Sequence, residues 1–258
     1  MTNSTLEGPE SEDVIRKIRS ESEIWFGLAE DVNIALRRLV DLAENQIEGT
    51  SMDSLAIGVR TLMRTAGMYQ GALLLTERGM TSEARTLTRS VLDGAFAVAA
   101  LLENPGPFIE MLKDDYEKSR IQQARFIKDQ NLVSDKETIA NLIKVIEKPG
   151  KFVLMSPRGL ADKGVLLKQY IFYQRLSEDS AHITIKSLNR HVQRVGDGWR
   201  YRVEPGSAAE NEATLYHAIS AVLALSIGVT ELLEFSDLNK EFAALTDRFA
   251  GMPVVAVV

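Results

Sequence analysis

The sequence predicts an all-α protein, a multi-helix bundle of about seven to eight helices with one small β hairpin near residues 192–203. Three observations predict it. Apolar side chains recur every three or four residues along nearly the whole chain. Brief clusters of Pro, Gly and Asn, rather than long linkers, separate the apolar runs. Only one segment alternates apolar and polar residues about a glycine-containing turn. With 258 residues, 45% of them hydrophobic, the chain can bury one large core. Residues 1–12 are expected to be flexible, and residues 13–258 to form a single helical-bundle domain.

Taken in order, Ile24, Trp25, Leu28, Val32, Leu36 and Leu39 set out a helix over about residues 20–47. Leu55, Val59, Leu62, Ala66, Tyr69 and Leu73 set out a second over about 51–78. Gly79 should stop it, because glycine takes the left-handed conformation that a helix C-terminus needs. A third begins after Thr81 or Ser82 and ends before Asn104-Pro105-Gly106-Pro107; a fourth spans about 107–130. Ser134 and Glu137 have capping-box spacing and should open a shorter helix to about residue 147. Pro149, Gly150, Pro157 and Gly159 mark a loop. One helix from about Leu160 then leads into "YQRLSEDSAHITIKSLNRHV", residues 173–192. Two short strands follow around Gly196-Asp197-Gly198, the hairpin signal. Helices over about 208–235 and 238–249 and a short apolar tail end the chain. Residues 213–230 carry no formal charge over 18 positions, the lower limit for a membrane span. His217, Ser220, Ser226 and Gly228 inside them, and Glu212 and Glu231 as flanks, predict a buried core helix instead. No membrane partner is expected.

There is no cysteine, so no disulfide, thiolate nucleophile or Cys-ligated metal can form. The polar, acidic start MTNSTLEGPESED has no basic region followed by an apolar run, and the chain reads as cytoplasmic. Net charge is −6, an unfavourable balance for general nucleic-acid binding. That charge is uneven. Residues 1–50 carry 11 acids and 5 bases, whereas residues 181–203 carry Lys186, Arg190, Arg194, Arg200 and Arg202 against Asp197, net +4. This basic segment is either a solvated face or a contact for an anionic partner, RNA included.

Motifs for nucleotide, P-loop, zinc-protease and serine-hydrolase chemistry are lacking. Of the three histidines none pairs with another at four-residue spacing, and Glu178 with His182 makes only two ligands. Neither a metal nor an organic cofactor is expected. Two constellations remain. Arg85, Arg89 and Asp93 are four residues apart and stack on one helix face, with Arg60 and Arg64 available from the second helix. They suit a structural pair, Arg89 with Asp93, or an arginine turned toward an anion in a bundle cleft.

The second constellation is the segment 173–192. Arg175 and His182 would lie two turns apart on one face if their helix continued unbroken. Tyr173 and Ser177 lie on a neighbouring part of it. His182, Lys186 and Arg190 repeat every four residues, and Ser180 could cap the second element. Tyr, Arg, Lys and a histidine are what a metal-free phosphodiester cleavage would need, the histidine as general acid or base and the cations against developing charge. The same side chains also suit a helix junction in which Tyr173 packs and the serines cap. His191, near a helix end, and His217, on a long apolar helix, are minor candidates, His217 as a core histidine.

At these two constellations the sequence resembles a bacterial helical family, domain-of-unknown-function family 5677, over roughly residues 55–192. The marks are "EARTLTRSVLDG", with Arg89 and an acid four residues on, Asp93, and a Tyr-x-x-Leu-Ser then His pattern, Tyr173, Leu176, Ser177 and His182. The family name carries no activity. A looser resemblance is to the HEPN proteins, a helical nucleotide-binding and ribonuclease superfamily. Their active members pair an Arg–spacer–His motif across a dimer. Arg175 and His182, with six residues between them, fit that spacing, but Leu176 stands where a polar residue is common, and Glu178 and Asp179 put negative charge between the two. Two functions stand open. One is a non-catalytic module binding a partner protein or small ligand, as a homodimer or larger oligomer, through Arg89, Asp93, Arg85, Ser177, Lys186 and Arg190. The other is a metal-independent HEPN-like ribonuclease of a toxin or phage-defence type, with His182, Arg175 and Tyr173 catalytic and RNA held by the basic segment 181–203.

Overall fold

A computed structural model describes residues 9–47, 51–201 and 206–255. These contain eleven α-helices and one two-stranded antiparallel hairpin. The all-α class holds, but the helices outnumber the expected seven to eight. The surplus comes from two places. The helix expected over 20–47 is α2 (Glu23–Glu44), and an unexpected helix, α1 (Pro9–Glu21), precedes it, with the break at buried Ser22, whose carbonyl accepts from the Trp25 and Phe26 amides. Helix α1 thus begins inside the stretch expected to be flexible, of which residues 1–8 lie outside the described residues.

The second surplus is in the single helix expected after Leu160. It is α7 (Pro157–Lys163), a 3₁₀ turn, α8 (Tyr170–Leu176), a turn of π-helix (Ser177–Ala181) and α9 (Ile185–Asn189). The break after α7 has a clear cause. Val165 takes φ 60°, and the Leu166 amide donates back to Ala161 at 2.7 Å, the closure that ends a helix. Gly164 sits so close to α4 (Thr81–Glu103) that an added Cβ would lie 2.6 Å from the Ala99 Cβ and 2.8 Å from the Ala100 nitrogen.

Helix α3 (Ser54–Glu77) ends as expected at Gly79, which takes φ 72° while the Met80 amide reaches Leu75 at 2.9 Å. The expected capping box at Ser134 and Glu137 is replaced by Asp135, whose carboxylate accepts from the Thr138 amide at 2.7 Å and opens α6 (Lys136–Ile146). A carboxylate one residue on is the better partner for the free amides of a helix start. Helix α5 (Pro105–Asp129) lies between α4 and α6.

Helix α10 (Ala208–Leu232) is the axis of the bundle. It packs on α2, α3, α4 and α11 (Ser236–Ala250). It is long and apolar enough to cross a membrane, yet 78% of its most apolar 18-residue window is buried inside the protein, as a core helix requires. Its first turn is locked by a capping box between Ser207 and Glu210. Small residues let its neighbours approach, Gly228 against Val98 and Leu102. Trp25, Tyr216 and Phe249 pack ring against ring where α2, α10 and α11 meet.

Candidate functional site

The arginine stripe of α4 and the segment 170–190 meet directly. Burying an arginine requires a counter-charge, because an isolated buried ion loses far more hydration than it can recover. Asp179 supplies it. This residue is 5% exposed and sits in the π turn. Its carboxylate accepts from Arg85 Nη1 on α4 and from Arg190 Nη1, 2.9 Å away at the end of α9. Arg190 reaches on to Glu210 Oε1 on α10 at 3.1 Å, and Arg85 Nε donates to Thr214 Oγ1 at 3.2 Å. Two cations face two anions, and four separate elements, α4, the π turn, α9 and α10, are joined. Burial pushes the Asp179 carboxyl up, but Arg85, Arg190 and the nearby Lys186 overcome it and hold it below the usual range. Burial likewise raises Glu210, and the Ser207 amide and Arg190 bring it down on balance.

Two serines of the π turn bond back to the preceding helix. Ser177 donates its hydroxyl to the Tyr173 carbonyl at 2.8 Å and Ser180 to that of Leu176 at 2.6 Å. Ser180 therefore does not cap the next helix. That role belongs to Thr184, whose hydroxyl accepts from the Ser187 amide at 3.0 Å while Ser187 Oγ accepts from the Thr184 amide. Thr184 Oγ1 also donates to the Glu178 carbonyl, tying α9 to the π turn.

Arg89 does not bond Asp93. Its Nη2 donates to the Tyr173 hydroxyl at 2.7 Å, and its guanidinium carbon lies 4.8 Å from the Tyr173 ring centre. A phenol offers Arg89 both an acceptor and a π face, so the bond across to α8 displaces the expected pair within α4. Tyr173 is buried against Phe96 and stacks on Tyr170 at 5.6 Å. Burial raises its hydroxyl pKa, and Arg89 only partly offsets that. The half-buried Asp93 accepts no hydrogen bond among the described residues. Burial raises its carboxyl against the pull of Arg89 and Arg64.

Arg175 is exposed on α8, where its charge reaches His217. His217 is buried on α10 beside Phe172 and Tyr216, and burial first, then Arg85 and Arg175, lower its pKa to about 4. His182 follows the π turn on extended backbone, φ −126°, with its side chain exposed. The unbroken helix that would align it with Arg175 ends one residue earlier. Lys186 is exposed. The structure thus gathers Arg85, Arg190 and Lys186 around Asp179, pairs Arg89 with Tyr173, and leaves Ser177 in its own helix. Among the described residues no three His, Asp or Glu side chains form a metal-binding group.

Beyond the Asp179 network the chain forms an arm of different character. Strands β1 (Val192–Val195) and β2 (Gly198–Tyr201) pair Arg194 with Trp199 and Val192 with Tyr201. Alternation places these four on one face of the ribbon. Ile183 is 90% exposed, Trp199 73% and Tyr201 87%; Ile185, Leu188 and Val195 are exposed as well. Residues 202–205, including the expected end of the hairpin and Arg202, lie outside the described residues.

Residues 55–198 match the model of one family, described as a family of unknown function (DUF5677). No curated protein and no solved structure matches the chain.

Proposed function

The chain belongs to that family of unknown function, and we propose that it is a non-catalytic interaction module that engages a protein through the outer surface of residues 183–201. One observation carries this reading: six large apolar side chains, Ile183, Ile185, Leu188, Val195, Trp199 and Tyr201, stand exposed within 19 residues. Isolated exposed apolar residues are ordinary, but so dense a run beside charged side chains points to a contact surface. Trp199 and Tyr201 share one face of the ribbon with Arg194, Val195 and Arg200 lie on the other, and Lys186 stands on α9; Trp, Tyr and Arg are the side chains that dominate protein interfaces. Four of the six are aliphatic, which favours a protein over RNA, because bases stack on aromatic rings and not on branched alkyl groups. The buried charged groups support the same reading. Arg85 and Arg190 are engaged by Asp179 and Glu210 and so serve to seat the arm, while Arg89 is engaged by Tyr173 within the bundle.

Site-specific photo-crosslinking in cells tests the proposal. A photoreactive phenylalanine analogue at position 199 is expected to give a discrete protein adduct, and one at exposed Leu132, between α5 and α6, none. In parallel, purified wild-type protein is expected to leave labelled RNA intact. RNA cleavage that vanishes in His182→Ala would overturn the reading in favour of the HEPN-like ribonuclease.

A further inference from the structure

We propose that the arm's partner is a second copy of this chain, with residues 183–201 of each copy docked on the acidic outer face of α2 in the other. This rests on the interaction-module reading and names its occupant. The two surfaces complement each other in both charge and apolar content. Residues 181–203 carry net +4 in a chain of net −6, so the remainder carries net −10. An acidic surface is therefore present wherever a second copy is present.

Helix α2 concentrates that acidity. Over Glu23–Glu44 it carries Glu23, Glu30, Asp31, Asp41 and Glu44 against Arg37 and Arg38, net −3. All seven are exposed. Helical spacing places Glu23, Glu30, Ile34, Arg37 and Asp41 on one outward stripe. Glu30 is paired with Arg19, Asp31 with Arg248 and Arg38 with Glu241, so Glu23, Asp41 and Glu44 are the acids of α2 that no ion pair among the described residues engages. Ile34 is large, apolar and exposed on this stripe, and Ile24 and Leu42 are exposed on its flank, beside the side that α2 buries on α3, α10 and α11. Beside Ile34, a shallow groove runs between α2 and α11, lined by Asp31, Glu241, Ala244, Leu245 and Arg248. Thus α2 offers apolar side chains among acids, and the arm offers apolar side chains among bases.

The arm cannot pair with its own image at low cost, because Lys186, Arg194 and Arg200 would then face like charges. Docking on α2 avoids that. Two such contacts related by a two-fold axis close a dimer, each copy giving one arm and receiving one.

Sedimentation of the full chain, with charge reversals on each face, tests this directly. Arg194→Glu with Arg200→Glu inverts the arm. Asp41→Lys with Glu44→Lys inverts the outer end of α2, where lysine also suits the helix C-terminus. All four residues are exposed, so circular dichroism should show the fold retained. Wild type is expected to dimerise, and each double variant to lose about tenfold or more in dimer affinity. An equimolar mixture of the two double variants should regain the dimer, because each inverted arm then meets an inverted α2. Trp199→Ala with Tyr201→Ala should be monomeric, alone and in mixtures. A monomeric wild type, a dimer that survives either reversal, or a mixture that stays monomeric overturns the proposal. A monomeric wild type that still crosslinks at position 199 to another protein overturns self-pairing and leaves the module reading intact; absence of any adduct at 199 overturns both.

Discussion

Asp179 and Arg190, eleven residues apart, meet at 2.9 Å and fold the chain between them back on itself. The loop they close contains the π turn, His182 and α9. Because the same carboxylate holds Arg85 on α4 and the same guanidinium holds Glu210 on α10, one buried contact fixes the base of the arm to the two best-packed helices of the bundle.

Replacing Asp179 by Ala should therefore destabilise the protein by roughly 3–5 kcal/mol, the usual result of removing one partner from a buried ion pair. Two arginines would be left in low dielectric without their carboxylate. Chemical denaturation measures the loss, and limited proteolysis should show new cleavage within residues 182–205 before the bundle itself opens. A change below about 1 kcal/mol would mean that the arm is seated by something else.

Acid titration separates two groups. The Asp179 carboxyl is held low when folded, so its contribution is complete above the unfolded aspartate pKa near 4 and is lost only as pH falls through the lower folded value. His217 behaves oppositely. Its folded pKa is about 4 against an ordinary 6.5, so below 6.5 the unfolded chain takes up a proton that the folded one refuses. Stability should be flat above pH 6.5 and fall by about 3 kcal/mol on the way to pH 4. His217→Gln should flatten that slope, and Asp179→Asn should not. Thermal melts at half-unit intervals of pH distinguish them.

Tyr173→Phe keeps the ring stack and the π face over Arg89 but removes the acceptor of the 2.7 Å bond. A cost of about 1.5–3 kcal/mol is expected, the range for a hydrogen bond to a charged group, and the thermal midpoint should drop accordingly. The variant should keep the arm in place, because Asp179 is unchanged. Hydrogen exchange across residues 183–201 checks this second half.

The turn between α7 and the 3₁₀ segment makes a paired prediction of opposite sign. Val165 is a branched residue at φ 60° and points to solvent, so Val165→Gly should stabilise by about 1 kcal/mol. Gly164→Ala, one residue earlier, should destabilise by about 1–3 kcal/mol, because the new methyl meets the backbone of α4. Equilibrium unfolding of the two single variants decides both.

The helical class, the stop at Gly79, the buried α10 and the hairpin about Gly196-Asp197 were all legible in apolar spacing and turn residues. The breaks within residues 157–189 were not. Nothing in local composition requires a valine at φ 60°, and the serine hydroxyls of the π turn bond back to carbonyls four residues earlier, as Thr65 and Thr88 do in regular helix, so they carry no sequence signal for it. The arginines of α4 were legible as a stripe, but their partners were not. Asp179 read as negative charge between Arg175 and His182, and Glu210 carried no signal of its own in the sequence. Their joint role depends on α4, α9 and α10 converging, a tertiary fact that pair spacing along one helix cannot encode. The most specific local expectation, Arg89 with Asp93, failed because Tyr173, 84 residues away, offers a better partner.

The position of the Asp179 anchor has a consequence for how this chain can change over time. Everything that fastens the arm lies at its root, in residues 170–190 and their partners, while the side chains of residues 192–201 are almost all free of the core. On the interaction-module reading, substitutions at the tip alter what is recognised without taxing the stability of the bundle, and substitutions in the bundle can be screened by folding alone. Specificity and foldability are separately heritable in such a design, and a scaffold of this kind can be re-targeted by rewriting some ten positions.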